Sequence, residues 1–189
     1  MYSKTGNNFT DRQIVASILN GDSLAFGSII KNTEALVAQI VFKMIPNAED
    51  RKDMVQNIYL KAFDHLPGFR FQSKLSTWVA RIAYNTCLSW LEKKKLLFPG
   101  QGQDEDGIVE EGTEQIIFQK ELSGVLQTAI NGLPPVYKTL ITLFHYEELS
   151  YEEIALITGL PDGTLKSYLF RARKTLKEHL LAKYKKQAL

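Results

Sequence analysis

The chain has 189 residues, 44% of them apolar and 23% charged, the proportions of a folded globular protein and not of a disordered one. Its formal net charge of +2 decides nothing alone, because an acidic middle and a basic tail cancel in the sum. No apolar run approaches the ~20 residues of a membrane span, the polar start from Met1 to Thr10 has no signal-peptide core, and the single cysteine excludes an internal disulfide, so a soluble, cytoplasmic protein is expected.

In chain order the segments read as helices. Thr10-Asp11-Arg12-Gln13 has the capping-box pattern, and Ile14, Ile18 and Leu19 then share a face before Asn20-Gly21. Asp22 or Ser23 can cap a second helix carrying Phe26, Ile29, Ile30, Leu36, Val37, Ile40, Val41 and Met44, which ends at Pro46. A third is predicted from about Ala48 to His65, with Val55, Ile58, Tyr59, Ala62 and Phe63 inward, ending before Pro67-Gly68. After a polar-aromatic connection from Phe69 to Ser76, a fourth opens at Ser76 or Thr77, carries Trp78, Val79, Ile82, Ala83, Thr86 and Trp90, and runs out in Lys93-Lys94-Lys95. Cys87 lies in this apolar stretch and reads as a buried, inert thiol.

From Leu96 to Gln119 there is no Lys or Arg, while Asp104, Glu105, Asp106, Glu110, Glu111 and Glu114 fall among glycines and glutamines. That composition offers too little apolar surface to offset the entropy of ordering it, so an acidic, flexible linker is expected at 96–113. Further helices are predicted at about Glu114–Asn131, Pro135–Phe144, Tyr151–Thr158 and Gly163–Tyr184. The expected fold is all-α: two small helical domains, 10–95 and 114–184, the second a helix-turn-helix domain.

The helix-turn-helix rests on local chemistry. Ser150-Tyr151-Glu152-Glu153 is a capping box, Gly159 can take the left-handed conformation that ends a helix, and Pro161-Asp162-Gly163-Thr164 starts another. On that last helix Leu165, Leu169, Ala172, Leu176 and Leu180 form one packing stripe. Opposite lie Gly163, Ser167, Phe170, Arg171 and Lys174, with Lys166 and Lys177 on one flank. Cations, a hydroxyl and an aromatic opposite a packing stripe suit a major groove, where Arg and Lys meet phosphates or guanine edges and an aromatic meets a thymine methyl. Charge alone would fit an ordinary solvated face; the capped helix and glycine turn before it favour DNA.

These residues resemble a known family. Leu149-Ser150-Tyr151-Glu152-Glu153-Ile154-Ala155, Gly163-Thr164-Leu165-Lys166-Ser167 and Phe170-Arg171-Ala172-Arg173 resemble the promoter-binding C-terminal domain of extracytoplasmic-function (ECF) sigma factors of the sigma-70 family. Asp53-Met54-Val55-Gln56, Leu60-Lys61-Ala62-Phe63, Leu66-Pro67-Gly68-Phe69 and Ser76-Thr77-Trp78-Val79-Ala80-Arg81-Ile82-Ala83-Tyr84-Asn85 resemble its N-terminal domain. The resemblance implies a protein that binds RNA polymerase core at the β′ clamp coiled coil and directs promoter-specific initiation, with no catalytic residues, metal, cofactor or small-molecule substrate of its own.

It further implies −35 reading by Thr164, Lys166, Ser167, Phe170, Arg171 and Lys174, and polymerase contact by Asp53, Gln56 and Lys61. The −10 element would be held by Phe69, Arg70, Ser73, Lys74, Arg81 and Asn85, whose aromatic, hydroxyl, amide and cationic groups suit an unstacked base and its phosphates. Trp78 reads as core. The implied partners are promoter DNA and a membrane-linked anti-sigma factor, and the linker would thread toward the polymerase active site.

Three departures stand out: Asn57 where the family is usually acidic, Tyr168 where it usually has Arg, and Phe144-His145-Tyr146 in place of a more usual Arg-containing segment. Two rival readings stay open. A conventional helix-turn-helix regulator with a helical sensor domain gives no reason for the Trp78–Asn85 string. An enzyme would need clustered carboxylates or histidines on ordered elements, whereas His65, His145 and His179 are scattered.

Overall fold

A computed structural model describes residues 8–97 and 124–187, with side chains at 10–94 and 124–182. The 96–113 linker and the start expected at Glu114 lie, but for its first residues, outside the described residues. Among the described residues there is no strand.

Helix α1 (Asn8–Leu19) begins before Thr10, so the capping box expected there does not form. Asp11 instead accepts the backbone N–H of Leu75 at 3.2 Å and caps the start of α4 (Leu75–Leu97), which therefore opens one residue before Ser76. Asp22 caps a short 3-10 turn, Ser23–Ala25, by accepting from the Ala25 N–H, and that turn runs into α2 (Phe26–Met44). Along α2 the residues Phe26, Ile29, Thr33, Leu36, Val37, Ile40, Val41 and Met44 are buried at three- and four-residue spacing, a continuous stripe against the core. Ile45 turns extended ahead of Pro46 and ends the helix. Asn47 then caps α3 (Ala48–His65), accepting from the Glu49 N–H at 2.8 Å. Thr33 and Lys43 are the buried polar residues of α2, and Thr33 donates to the Ile29 carbonyl at 2.7 Å and meets the Tyr59 hydroxyl at 3.0 Å.

In the second half a helical segment at 124–131 (α5) is followed by α6 (Pro135–Ile141), a π-helical turn at Thr142–Tyr146, α7 (Tyr151–Thr158) and α8 (Asp162–Gln187). Pro135 at the first turn of α6 sets its start. The helix expected to run to Phe144 instead stops at Ile141 and widens into the π turn.

The two halves pack on one another. Helix α4 lies against α2 and α3 and also against α7, while α6 touches both α2 and α8. The packing explains why buried residues on α4 span two faces, Val79 and Ala83 on one and Ala80, Tyr84 and Cys87 on the other. One apolar core runs through both halves, from Ile40 and Val79 to Ile157, Leu165 and Leu169. Burial pushes the Cys87 thiol up to about 12, so it stays protonated and inert.

Candidate nucleic-acid and polymerase interfaces

The helix-turn-helix is built by the caps. The Ser150 hydroxyl accepts from the Glu153 N–H at 3.2 Å while the Glu153 carboxylate accepts from the Ser150 N–H at 3.0 Å, closing the capping box that starts α7. Gly159 ends α7 in the left-handed region at φ 71°, and α8 follows after Leu160 and Pro161. Leu165, Leu169 and Ala172 are completely buried and Leu176 is partly so, which fixes the rotation of α8 about its axis. Lys166, Phe170, Arg171 and Lys174 are therefore exposed, Phe170 by 67%. Thr164 and Ser167 are half-buried, and the Ser167 hydroxyl donates to the Thr164 carbonyl at 2.8 Å. Tyr168 is edge-on to Tyr137 of α6, with ring centroids 5.7 Å apart, so it belongs to the packing side.

The first half presents a different surface. Lys74, just ahead of α4, and Trp78, Arg81 and Asn85 along its start recur at spacings of four, three and four and so share a face. Arg81 and Asn85 are exposed and Trp78 is partly buried. In the loop before α4, Arg70 is exposed and Ser73 half-buried, but Phe69, expected to meet the −10 base, is buried, with only 8% of its surface exposed. Its ring lies 4.7 Å from that of Phe71 and 5.1 Å from that of Trp78. Phe69 supports the loop from beneath, and the half-buried ring nearer the surface is Phe71, held at a left-handed φ of 56° under the Arg12 guanidinium at 4.7 Å. Sequence reasoning missed Phe71, because nothing local signals its backbone conformation.

Lys74 joins this surface to the other half. Its ammonium lies 2.8 Å from the Glu153 carboxylate. Burial alone would raise the Glu153 carboxyl, but hydrogen bonds from Lys74 and from the Ser150 N–H and hydroxyl, together with the Lys74 charge, hold it below the ordinary carboxylate range. Tyr84 on α4 is pushed up to about 12, first by burial and then by Tyr168 on α8.

On α3 the three polymerase candidates point in different directions. Asp53 borders a small groove with Asp50, Met54, Asn57 and Trp90. Gln56 lines a separate, largely apolar groove of about 370 Å³ with Phe26, Ile30, Tyr59, Leu60 and Phe63. Lys61 turns toward α4, its ammonium 3.4 Å from the Thr86 hydroxyl. The expectation that Phe63 points inward is corrected: it is 41% exposed, and Leu60 beside it is 59% exposed. A helix with apolar residues at 55, 58, 59, 60, 62 and 63 carries more than one stripe, and only tertiary packing selects which is covered. No group of three or more histidine, cysteine or carboxylate side chains suited to a metal ion occurs among the described residues.

Comparison with known proteins matches the two halves separately. Residues 29–96 match the family model described as Sigma-70 region 2, and residues 123–176 match Sigma-70, region 4. The chain is 33% identical over 177 residues to the ECF RNA polymerase sigma-E factor of Escherichia coli K12, covering 88% of this chain and 92% of that protein. It is 30% identical over 176 residues to the ECF RNA polymerase sigma factor SigW of Bacillus subtilis, covering 88% and 94%. The fold is shared by solved structures, two of which illustrate it. One is CnrH in complex with the cytosolic domain of CnrY, at TM-score 0.64 and 20% identity over 91% of this chain and 97% of that one. The other is the sigma factor RpoE of Bartonella quintana in complex with the anti-sigma factor NepR, at TM-score 0.65 and 24% identity over 82% and 96%.

Proposed function

This chain belongs to the ECF RNA polymerase sigma factors, and from that premise we propose how its residues divide the work of initiation. The protein binds RNA polymerase core and directs promoter-specific transcription initiation. The observation that carries this reading is the order of surfaces in one chain, an amide-and-cation face on α4 followed by a capped helix-turn-helix, within a match that covers 92% of the Escherichia coli relative. A conventional regulator has use for the second surface and none for the first.

We assign residues 10–95 to core binding and the −10 element and residues 114–184 to the −35 element, with 96–113 as the connection. Arg81 and Asn85, with Arg70, Ser73 and Lys74, hold an unstacked −10 base and its phosphates, over the Phe69–Trp78 support. Phe170, Arg171 and Lys174, with Thr164, Lys166 and Ser167, read the −35 duplex. Asp53, Gln56 and Lys61 contact the clamp coiled coil, and the exposed Leu60 and Phe63 beside Gln56 add apolar area to that contact. The work is cytoplasmic, where the polymerase is, and no helix among the described residues is long and apolar enough to cross a membrane. An anti-sigma partner, membrane-linked, is part of the same reading.

The two elements lie about 25 base pairs apart, or about 85 Å of duplex at ~3.4 Å per pair. With Lys74 paired to Glu153 at 2.8 Å and α4 packed against α7, the two faces sit far closer than that. The halves therefore separate before both elements are read together, and Lys74 exchanges Glu153 for DNA. Co-purification with core polymerase, followed by run-off transcription from genomic fragments, tests the function. Sequence-specific duplex binding by the isolated protein, unchanged by core, would support the conventional regulator in its place.

A further inference from the structure

Between α6 and α7 the backbone leaves ordinary helical register. The Glu147 N–H bonds the Thr142 carbonyl at 3.0 Å, the Leu149 N–H bonds the Leu143 carbonyl at 3.0 Å, and Glu148 takes a left-handed φ of 52° that side-chain-bearing residues rarely adopt. Such π turns and strained residues concentrate at functional sites. Here the turn brings two side chains against the middle of α8. The Arg173 guanidinium lies over the Phe144 ring, 5.1 Å from its centroid, and its Nε donates to His145 Nε2 at 3.3 Å. Phe144 is wedged in place by the Tyr151 ring at 5.0 Å and by His145 edge-on at 4.8 Å. Burial and the neighbouring Arg173 charge both lower the His145 pKa, which leaves the ring neutral and able to accept.

At 3.6 residues per turn Arg173 projects within about 20° of Lys166 and about 40° of Lys177, on the flank of the groove face and not at its centre. Flank positions on a recognition helix meet the sugar-phosphate backbone. An arginine whose ring stacking and Nε bond fix its plane still offers its two terminal nitrogens, a fork that matches two phosphate oxygens. We propose that the Phe144–His145 turn aims Arg173 at one backbone phosphate of duplex DNA beside the −35 element, a contact outside the set that reads the groove. The inference rests on the function proposed above. His145 is a positioning residue here; Arg173 makes the contact.

The test uses the full chain assembled with core polymerase on a promoter fragment recovered by run-off transcription. Matched duplexes carry single uncharged methylphosphonate linkages across the −35 flanks. Arg173→Ala is expected to weaken closed-complex binding about tenfold, as for loss of one charge-assisted hydrogen bond, and to reduce the salt slope by about 0.9. One methylphosphonate position should weaken the unsubstituted protein by a similar factor and leave Arg173→Ala unaffected. His145→Leu should lose part of that discrimination, His145→Gln, which keeps an acceptor, should restore it, and neither should matter once Arg173 is Ala. An unchanged salt slope in Arg173→Ala, or no linkage position whose effect depends on Arg173, overturns the inference. So does a His145→Leu defect that persists undiminished in the Arg173→Ala background. Failure of the unsubstituted protein to bind core or initiate would instead overturn the proposed function, a separate result.

Discussion

The two faces proposed to meet nucleic acid are built on opposite principles. On α8 the candidate side chains Lys166, Phe170, Arg171 and Lys174 stand on a helix whose rotation is fixed by completely buried leucines behind them, and they project exposed into solvent. On α4 the corresponding groups rise from a packed aromatic base of Phe69, Phe71 and Trp78, and one of them, Lys74, is held by a carboxylate from the other half. The contrast fits the two substrates proposed for them. An intact duplex presents its edges and phosphates to a rigid exposed rod, whereas a base taken out of its stack needs an apolar bed with polar groups around it. Rigidity behind the side chains serves the first and a shaped aromatic floor the second.

The sharpest way to break the comparison is within α8 itself. Leu169→Ala should cost about 2–5 kcal/mol of stability in urea or thermal unfolding, because a completely buried side chain leaves a cavity. Phe170→Ala, one residue on and 67% exposed, should change stability by no more than about 0.5 kcal/mol while weakening −35 binding. Equal destabilisation by the two would mean that α8 is not oriented by its leucine stripe.

Next in size is the contrast between the faces. Arg171→Ala should cost about 1–3 kcal/mol of closed-complex affinity and relax preference at one −35 position, and Lys174→Ala should weaken binding uniformly and flatten the salt dependence by about one charge. Asn85→Ala should instead impair opening on an ordinary duplex far more than on a pre-melted template. Equal Asn85→Ala defects on both templates, or unaltered −35 preference in Arg171→Ala, would remove those role assignments while leaving the family membership intact.

Smaller again is the helix-turn-helix entrance. Ser150→Ala removes the hydroxyl that caps α7 and should cost about 1 kcal/mol by chemical denaturation. The smallest effect belongs to the link between the faces. The Lys74 side chain is 41% exposed, so its ion pair with Glu153 should contribute no more than about 1 kcal/mol, and the packed apolar surfaces of α4 and α7 supply the rest. Because the folded Glu153 carboxyl lies below its ordinary value of 4.5, the stabilisation is complete above about pH 4.5 and disappears as pH falls through the lower folded value. Distance measurements between labels on the two halves should show the packed form loosening there, and Lys74→Ala should remove that pH dependence. A pH response that survives in Lys74→Ala would assign it to another group.

What the sequence determined by itself was whatever is encoded within one turn of a helix. The Ser150–Glu153 box, the left-handed Gly159, Pro46 at the end of α2, and the division of α8 into a leucine stripe and a cationic face all depend on neighbours within a turn or two of chain. Tertiary structure decided the rest. Asp11 looked like the second position of its own capping box and instead caps α4, 64 residues later. Phe63 looked like core, yet the buried side of α3 was chosen by where α2 and α4 lie, leaving Phe63 and Leu60 to form an exposed apolar edge. Phe144 and His145 read only as a departure from a pattern until the π turn set them under Arg173, 28 residues on from His145. Lys74 and Glu153, 79 residues apart, carry no local sign of their pairing. Short-range hydrogen bonding leaves a signature at fixed spacing, while packing between distant elements depends on which of several apolar faces meet, a choice made only when the whole chain folds.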